Sequence, residues 1–164
     1  PPGSPEWQRY HLVRGQGEHG ELPPNDWVSI FSGPAWTQTH FAGRPTGYWY
    51  LHIFDAGQPD VNWNHPDIVD EFDHTLRFWF DRGVDGFRID VAHGLVKSDG
   101  YPSGSEVKVF NDAGQLIDII PHPYWCQDGV HAIYRRWRAI ADEYSPRRIF
   151  VGEIGEPKIG RAHV

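Results

Sequence analysis

The sequence predicts an α/β architecture in which helices alternate with parallel strands. Three observations carry this: a helical apolar pattern ending at Gly83, short strand patterns at Val84–Asp90 and Arg148–Ile154, and a second helical pattern between those strands. A strand, a long loop, a helix and a further strand form a βαβ crossover, which runs its two strands parallel.

The elements follow in chain order. Residues 1–47 hold most of the turn formers, including Pro23-Pro24-Asn25-Asp26, and show no sustained period, which reads as a long excursion. A short strand is expected at Tyr48–Phe54, followed by the turn-rich run from Asp55 to Asp60. The first helix opens with Asn64 or His65 at the N-cap, Pro66 at N1 and Asp67 in the first turn. Its apolar stripe is Ile68, Phe72, Leu76, Trp79 and Phe80, and Gly83 ends it. In the strand that follows, Val84, Gly86, Arg88 and Asp90 share one face. The second helix is expected from Asp128 as N-cap to about Tyr144, with Val130, Ile133, Tyr134, Trp137, Ile140, Ala141 and Tyr144 as its stripe and Pro146 beyond its end. In the last strand Ile149, Val151 and Glu153 share a face, so a second carboxylate stands at a strand's C-terminal end.

Composition narrows the function classes. The formal net charge is −7 and basic residues are scattered, so the electrostatic footprint of a nucleic-acid binder is missing. There is no apolar stretch long enough to span a bilayer and no signal-peptide pattern, and the single cysteine, Cys126, forms no internal disulfide; these fit a cytoplasmic location. The chain has no methionine at all, so it is expected to be an internal piece of a longer protein. Its 24 aromatic residues (8 Trp, 7 Tyr, 9 Phe) suit either a Trp-rich core or flat faces for sugar rings.

Parallel strands put Asp90 and Glu153 at one sheet edge, and in a (β/α)₈ barrel that C-terminal edge is where active sites form. Retaining glycoside cleavage needs such a pair: one carboxylate attacks the anomeric carbon, and a protonated carboxyl about 5–5.5 Å away serves the leaving oxygen. Arg88, one strand repeat before Asp90, is suited to keep the nucleophile ionised. Glu153 leaves an apolar Ile149-Phe150-Val151 run whose burial would raise its pKa. The same residue types at strand ends also cap helices or pair with arginine for purely structural ends.

Three motifs in order separate these readings. Gly86-Phe87-Arg88-Ile89-Asp90-Val91-Ala92-His93, Val151-Gly152-Glu153 and Gln58-Pro59-Asp60-Val61-Asn62-Trp63 resemble the strand-four, strand-five and additional motifs of glycoside hydrolase family 13, the α-amylase family. Residues Pro24 to Val96 resemble its α-glucosidase and oligo-1,6-glucosidase branch. The resemblance implies a partial (β/α)₈ TIM barrel with part of the domain B insertion. It assigns 1–55 to that insertion and 56–157 to the barrel segment holding strands four and five. It further implies that Asp90 is the nucleophile, Glu153 the general acid/base and Arg88 the residue that positions the nucleophile. His93 is either a substrate-subsite residue or a loop histidine.

The implied substrate is a short α-linked gluco-oligosaccharide. Val91 resembles members accepting α-1,6 linkages, and Gln58-Pro59-Asp60 resembles enzymes of short substrates, although Val61 stands where leucine is usual. No cofactor is required by the mechanism; a structural Ca²⁺ occurs in the family, and its ligand loop is expected outside this chain. The family's strand-three motif and its later His-Asp motif have no counterpart here, so the chain by itself is expected to be inactive. Two alternatives stay open: a transglycosylase or isomerase that passes the glucosyl group to a sugar, and a non-catalytic relative that serves a transporter as a partner ectodomain. Finally, Ile159-Gly160-Arg161-Ala162-His163-Val164 resembles a translated sequencing adapter, so 158–164 is expected to be an artefact tail.

Overall fold

The computed structural model describes residues 3–155; the expected tail at 158–164 lies outside them. The chain forms two compact units, each discontinuous in sequence: one takes in the chain up to Asp70 with Ser98–Pro123, the other Glu71–Lys97 with the chain from Tyr124 onward.

The first unit is antiparallel. β1 (Leu12–Arg14), β2 (Trp36–Phe41) and β3 (Arg44–Leu51) form a sheet in the order β1-β3-β2. The expected strand at Tyr48–Phe54 thus begins and ends earlier, as one arm of a hairpin the turn-rich reading of 1–47 did not contain. The hairpin closes on Ala42 and Gly43, both with positive φ (50° and 75°), the geometry of a two-residue primed turn. Asn-Gly or Asp-Gly is the usual signal for that turn, and Ala-Gly does not carry it. A close approach shapes the same sheet: a Cβ on Gly20 would stand 2.3 Å from the Gly47 carbonyl oxygen, so only glycine lets the two backbones meet. Trp27, Trp36, Leu51 and Ile53 make its core, each no more than 2% exposed.

The segment after Asp90, read as a long loop, contains a second hairpin, β5 (Val107–Phe110) with β6 (Leu116–Ile120). Its turn is built on Asn111, whose side-chain oxygen accepts the backbone N–H groups of Ala113 and Gln115. Residues 98–123 join the first unit through Tyr101 and Pro102. The Tyr101 hydroxyl meets His11 Nδ1 at 2.8 Å, its carbonyl accepts from Asn25 Nδ2, and the Pro102 carbonyl accepts from the Trp27 indole N–H. The Gln58–Trp63 motif is a brace in this unit. Asp60 accepts the Ile53 N–H through Oδ2 at 2.7 Å, the Asp60 carbonyl accepts from His11 N, and Asn62 N donates to the Arg9 carbonyl.

α1 (Pro66–Phe80) starts as its sequence requires: Pro66 tolerates the first turn, and His65 Nδ1 accepts the Asp67 N–H. Ile68, Leu76 and Phe80 are buried, whereas Trp79, expected on the same stripe, is 45% exposed.

In the second unit β4 (Gly86–Ile89) pairs in parallel with β7 (Ile149–Gly152), in the register Gly86↔Ile149 to Ile89↔Gly152. α2 (Val130–Asp142) connects them, completing the βαβ unit, and buries Val130, Ile133, Trp137, Ile140 and Ala141. Its N-cap is Gly129 rather than Asp128, and no side chain caps it; the Asp128 carbonyl instead accepts the His131 N–H. Phe87 and Phe150 stack on one strand face, with Phe80 and Trp137 against them. Arg88, Ile149 and Val151 occupy the exposed face.

Candidate active site

β4 and β7 end side by side, and backbone hydrogen bonds extend the pairing past them: Glu153 N donates to the Ile89 carbonyl and Ala92 N to the Glu153 carbonyl, each at 2.9 Å. Asp90 and Glu153 therefore leave adjacent strands at the same level. Alternation along β4 puts Arg88 on the same side as Asp90. Its guanidinium bridges both carboxyls, with Nη1 2.7 Å from Asp90 Oδ1 and Nη2 2.7 Å from Glu153 Oε1.

The electrostatics follow from that triad. A hydrogen bond from the Glu153 carboxyl, and secondarily one from Arg88, hold the Asp90 carboxyl below the usual carboxylate range. The Arg88 guanidinium, bonded to Asp90 and facing Glu153, is held more firmly charged. Asp90 is thus held in its ionised form. Within this chain the Glu153 side chain is 49% exposed, and Val151, which precedes it on the same face, is 58% exposed.

His93 sits four residues beyond the β4 end, in the turn after Asp90. Its ring lies against Trp125 (centroids 4.6 Å apart), its carbonyl accepts the Cys126 N–H, and a Cβ on Gly155 would stand 3.9 Å from its Cε1. Trp125 also covers Gly94, where any Cβ would meet the indole at 2.3 Å. The structure thus brings Asp90, Glu153 and Arg88 into direct contact and packs His93 on an aromatic wall.

Two features escaped sequence reasoning. Val91 holds φ at +48°, rare for a β-branched residue, and its N–H faces Glu153 Oε2 at 3.4 Å. Tyr134, counted in the apolar stripe of α2, donates its hydroxyl to the Ala92 carbonyl. Neither has a local sequence signal, since both depend on where a turn meets a helix. Among the described residues no group of three or more His, Cys, Asp and Glu is placed to hold a metal ion. No helix of the described residues is long and apolar enough to cross a membrane.

A parallel βαβ unit with paired carboxyls at its C-terminal strand ends is the arrangement expected of one segment of an α/β-barrel glycosidase. The family model for the alpha amylase catalytic domain matches residues 2–162, and the chain belongs to that family. It is 40% identical to an alpha-glucosidase of Candida albicans over 156 residues, covering 92% of this chain and 25% of the relative. An alpha-glucosidase of Culex pipiens is 34% identical over 88% of this chain and 24% of its own length, and an oligo-1,6-glucosidase of Parageobacillus thermoglucosidasius 41% identical over 60% and 16%. Among solved structures, trehalose-6-phosphate hydrolase of Bacillus licheniformis superposes with a TM-score of 0.74 at 25% identity, covering 96% of this chain and 25% of that one. A trehalulose synthase mutant gives 0.70 at 27% identity over 92% and 24%. The chain spans about a quarter of the length of these full-coverage relatives.

Proposed function

We propose that the protein containing this chain is a retaining α-glucoside hydrolase acting on short α-linked gluco-oligosaccharides. Asp90 attacks the anomeric carbon to form a covalent glucosyl ester while Glu153 gives its proton to the departing glycosidic oxygen. Glu153, then a carboxylate, takes a proton from water, and that water cleaves the ester with net retention. Arg88 keeps Asp90 ionised and aimed. The single observation supporting the assignment is the Arg88 bridge to both carboxyls at the ends of paired parallel strands.

Arg88 holds one oxygen of each carboxyl at 2.7 Å, so the two carboxyls share one guanidinium. Substrate enters at this pair, and the glycosidic oxygen accepts the proton that Glu153 delivers. Val91 and Gln58-Pro59-Asp60 support a preference for short substrates with α-1,6 linkages accepted.

The test is made on the full-length protein with p-nitrophenyl α-glucoside and isomaltose, following the anomer released by NMR. Retention with loss of turnover in both Asp90→Asn and Glu153→Gln supports the reading; inversion, or near-parental activity of either variant, sinks it. A second reading is glucosyl transfer to a sugar acceptor, favoured by the similarity to the solved structures of a trehalulose synthase mutant and an alpha-glucosyl transfer enzyme. Chromatography of products from sucrose and maltose separates the two, because transfer yields isomeric disaccharides where hydrolysis yields monosaccharides.

A further inference from the structure

We propose that Tyr134 is a positioning residue for the Asp90 and Glu153 pair, acting through the left-handed turn at Val91. The inference rests on the role assigned to those two carboxyls above.

Val91 is joined directly to Asp90 and its N–H faces Glu153 Oε2 at 3.4 Å, so its backbone touches both members of the pair. A valine at φ +48° is strained by its Cβ and branched side chain, and such a conformation persists only when the surroundings over-determine it. Three hydrogen bonds do so here. Gly94 N donates to the Val91 carbonyl at 2.9 Å, Ala92 N donates to the Glu153 carbonyl at 2.9 Å, and the Tyr134 hydroxyl donates to the Ala92 carbonyl. The first two are backbone bonds that any side chains permit. The third comes from α2 and depends on one hydroxyl.

The tyrosine is well placed for this task. Its ring lies edge-on to Trp137, 5.7 Å between centroids, and Trp137 is 5% exposed, so the phenol is carried by a packed part of the helix. Burial pushes the Tyr134 phenol up, which keeps it a protonated donor at every pH at which the enzyme would work. Because Ala92 accepts from Tyr134 and donates to Glu153, a single peptide segment connects the helix to both strand ends. Losing the hydroxyl lets the turn relax at Val91 and misaligns Asp90 relative to Glu153. Were Tyr134 only a packing residue of the stripe, phenylalanine would replace it without kinetic effect.

The experiment measures p-nitrophenyl α-glucoside kinetics on the full-length protein carrying Tyr134→Phe, which retains the ring and removes one oxygen. The expected result is a fall in kcat of about tenfold with KM within about twofold, since a small misplacement of a reacting group costs rate rather than binding. The same substitution is then made in a Val91→Gly background, where glycine adopts the turn without strain. There it should cost no more than about twofold, the two changes being coupled through one turn. A kcat for Tyr134→Phe within twofold of the parent, or an equal loss in both backgrounds, overturns the proposal. Asp90→Asn is the control: parental turnover in that variant would refute the role of the carboxyls on which this inference rests, whereas loss of turnover there with an unaffected Tyr134→Phe variant would refute the role of Tyr134 alone.

Discussion

The two ends of the β4 and β7 pair use the same chemistry to opposite purpose. At the N-terminal end Arg148 Nη1 lies 2.9 Å from Asp85 Oδ1, and the arginine side chain is only 9% exposed, lying over the rings of Phe80 and Tyr144. At the C-terminal end Arg88 serves two carboxyls at once, and its side chain is 59% exposed. The first arrangement pairs one cation with one anion and sinks the cation's stem into aromatic packing, which braces the strands. The second leaves one negative charge beyond neutrality, or one proton to be shared, in a position open to a ligand. An arginine beside a carboxylate is therefore not informative by itself; burial and the count of carboxyls decide whether it holds a fold or supports chemistry.

Substitutions at the two ends break or sharpen this contrast. Asp90→Asn in the full-length protein should lower kcat by at least about 10³-fold while its melting midpoint stays that of the parent, because nucleophilic function is lost at an exposed site. A matching loss of stability, read by calorimetry, would erase the contrast. Arg88→Gln should reduce kcat by about 10- to 100-fold and move the acidic limb of the pH profile to higher pH. The sign follows from Asp90: it must be ionised to attack, Arg88 helps to hold its carboxyl low, and removal of that help lets protonation begin at a higher pH. An unmoved or lowered limb would contradict the assigned role.

Arg148→Ala should act in the opposite sense, lowering unfolding free energy by about 2 kcal/mol through lost packing and hydrogen bonding, measurable in a urea titration of the full-length protein. The folded fraction should keep its pH profile. The smallest effect belongs to Asp85→Asn, about 0.5 kcal/mol or less, since the Asp85 side chain is 86% exposed and surface partners contribute little. A loss from Asp85→Asn as large as that from Arg148→Ala would mean that the ion pair, not the aromatic packing, braces this end.

Legibility of the molecule varied with the kind of order involved. The second unit was read well because its signals are periodic: Val130, Ile133, Trp137, Ile140 and Ala141 are buried on α2 as their spacing requires, and alternation along β4 put Arg88 beside Asp90. The first unit was read poorly. Its hairpin closes on Ala42-Gly43, its sheet depends on Gly20 meeting Gly47, and Trp27 is fixed by a carbonyl 75 residues away at Pro102. Close backbone approaches and distant side-chain-to-backbone bonds leave no period behind. Asp128 illustrates the same limit on a smaller scale: a good capping residue by type, it gave way to Gly129 because the chain enters α2 one residue later.

By itself the sequence determined that Asp90 and Glu153 end parallel strands and that Arg88 shares their side, because strand alternation and a βαβ order are local and topological rules. Only the tertiary structure decided that Arg88 bridges both carboxyls and that a left-handed Val91 is tied to Tyr134 of α2. Those depend on distances between elements far apart in the chain, which no pattern of neighbouring residues encodes.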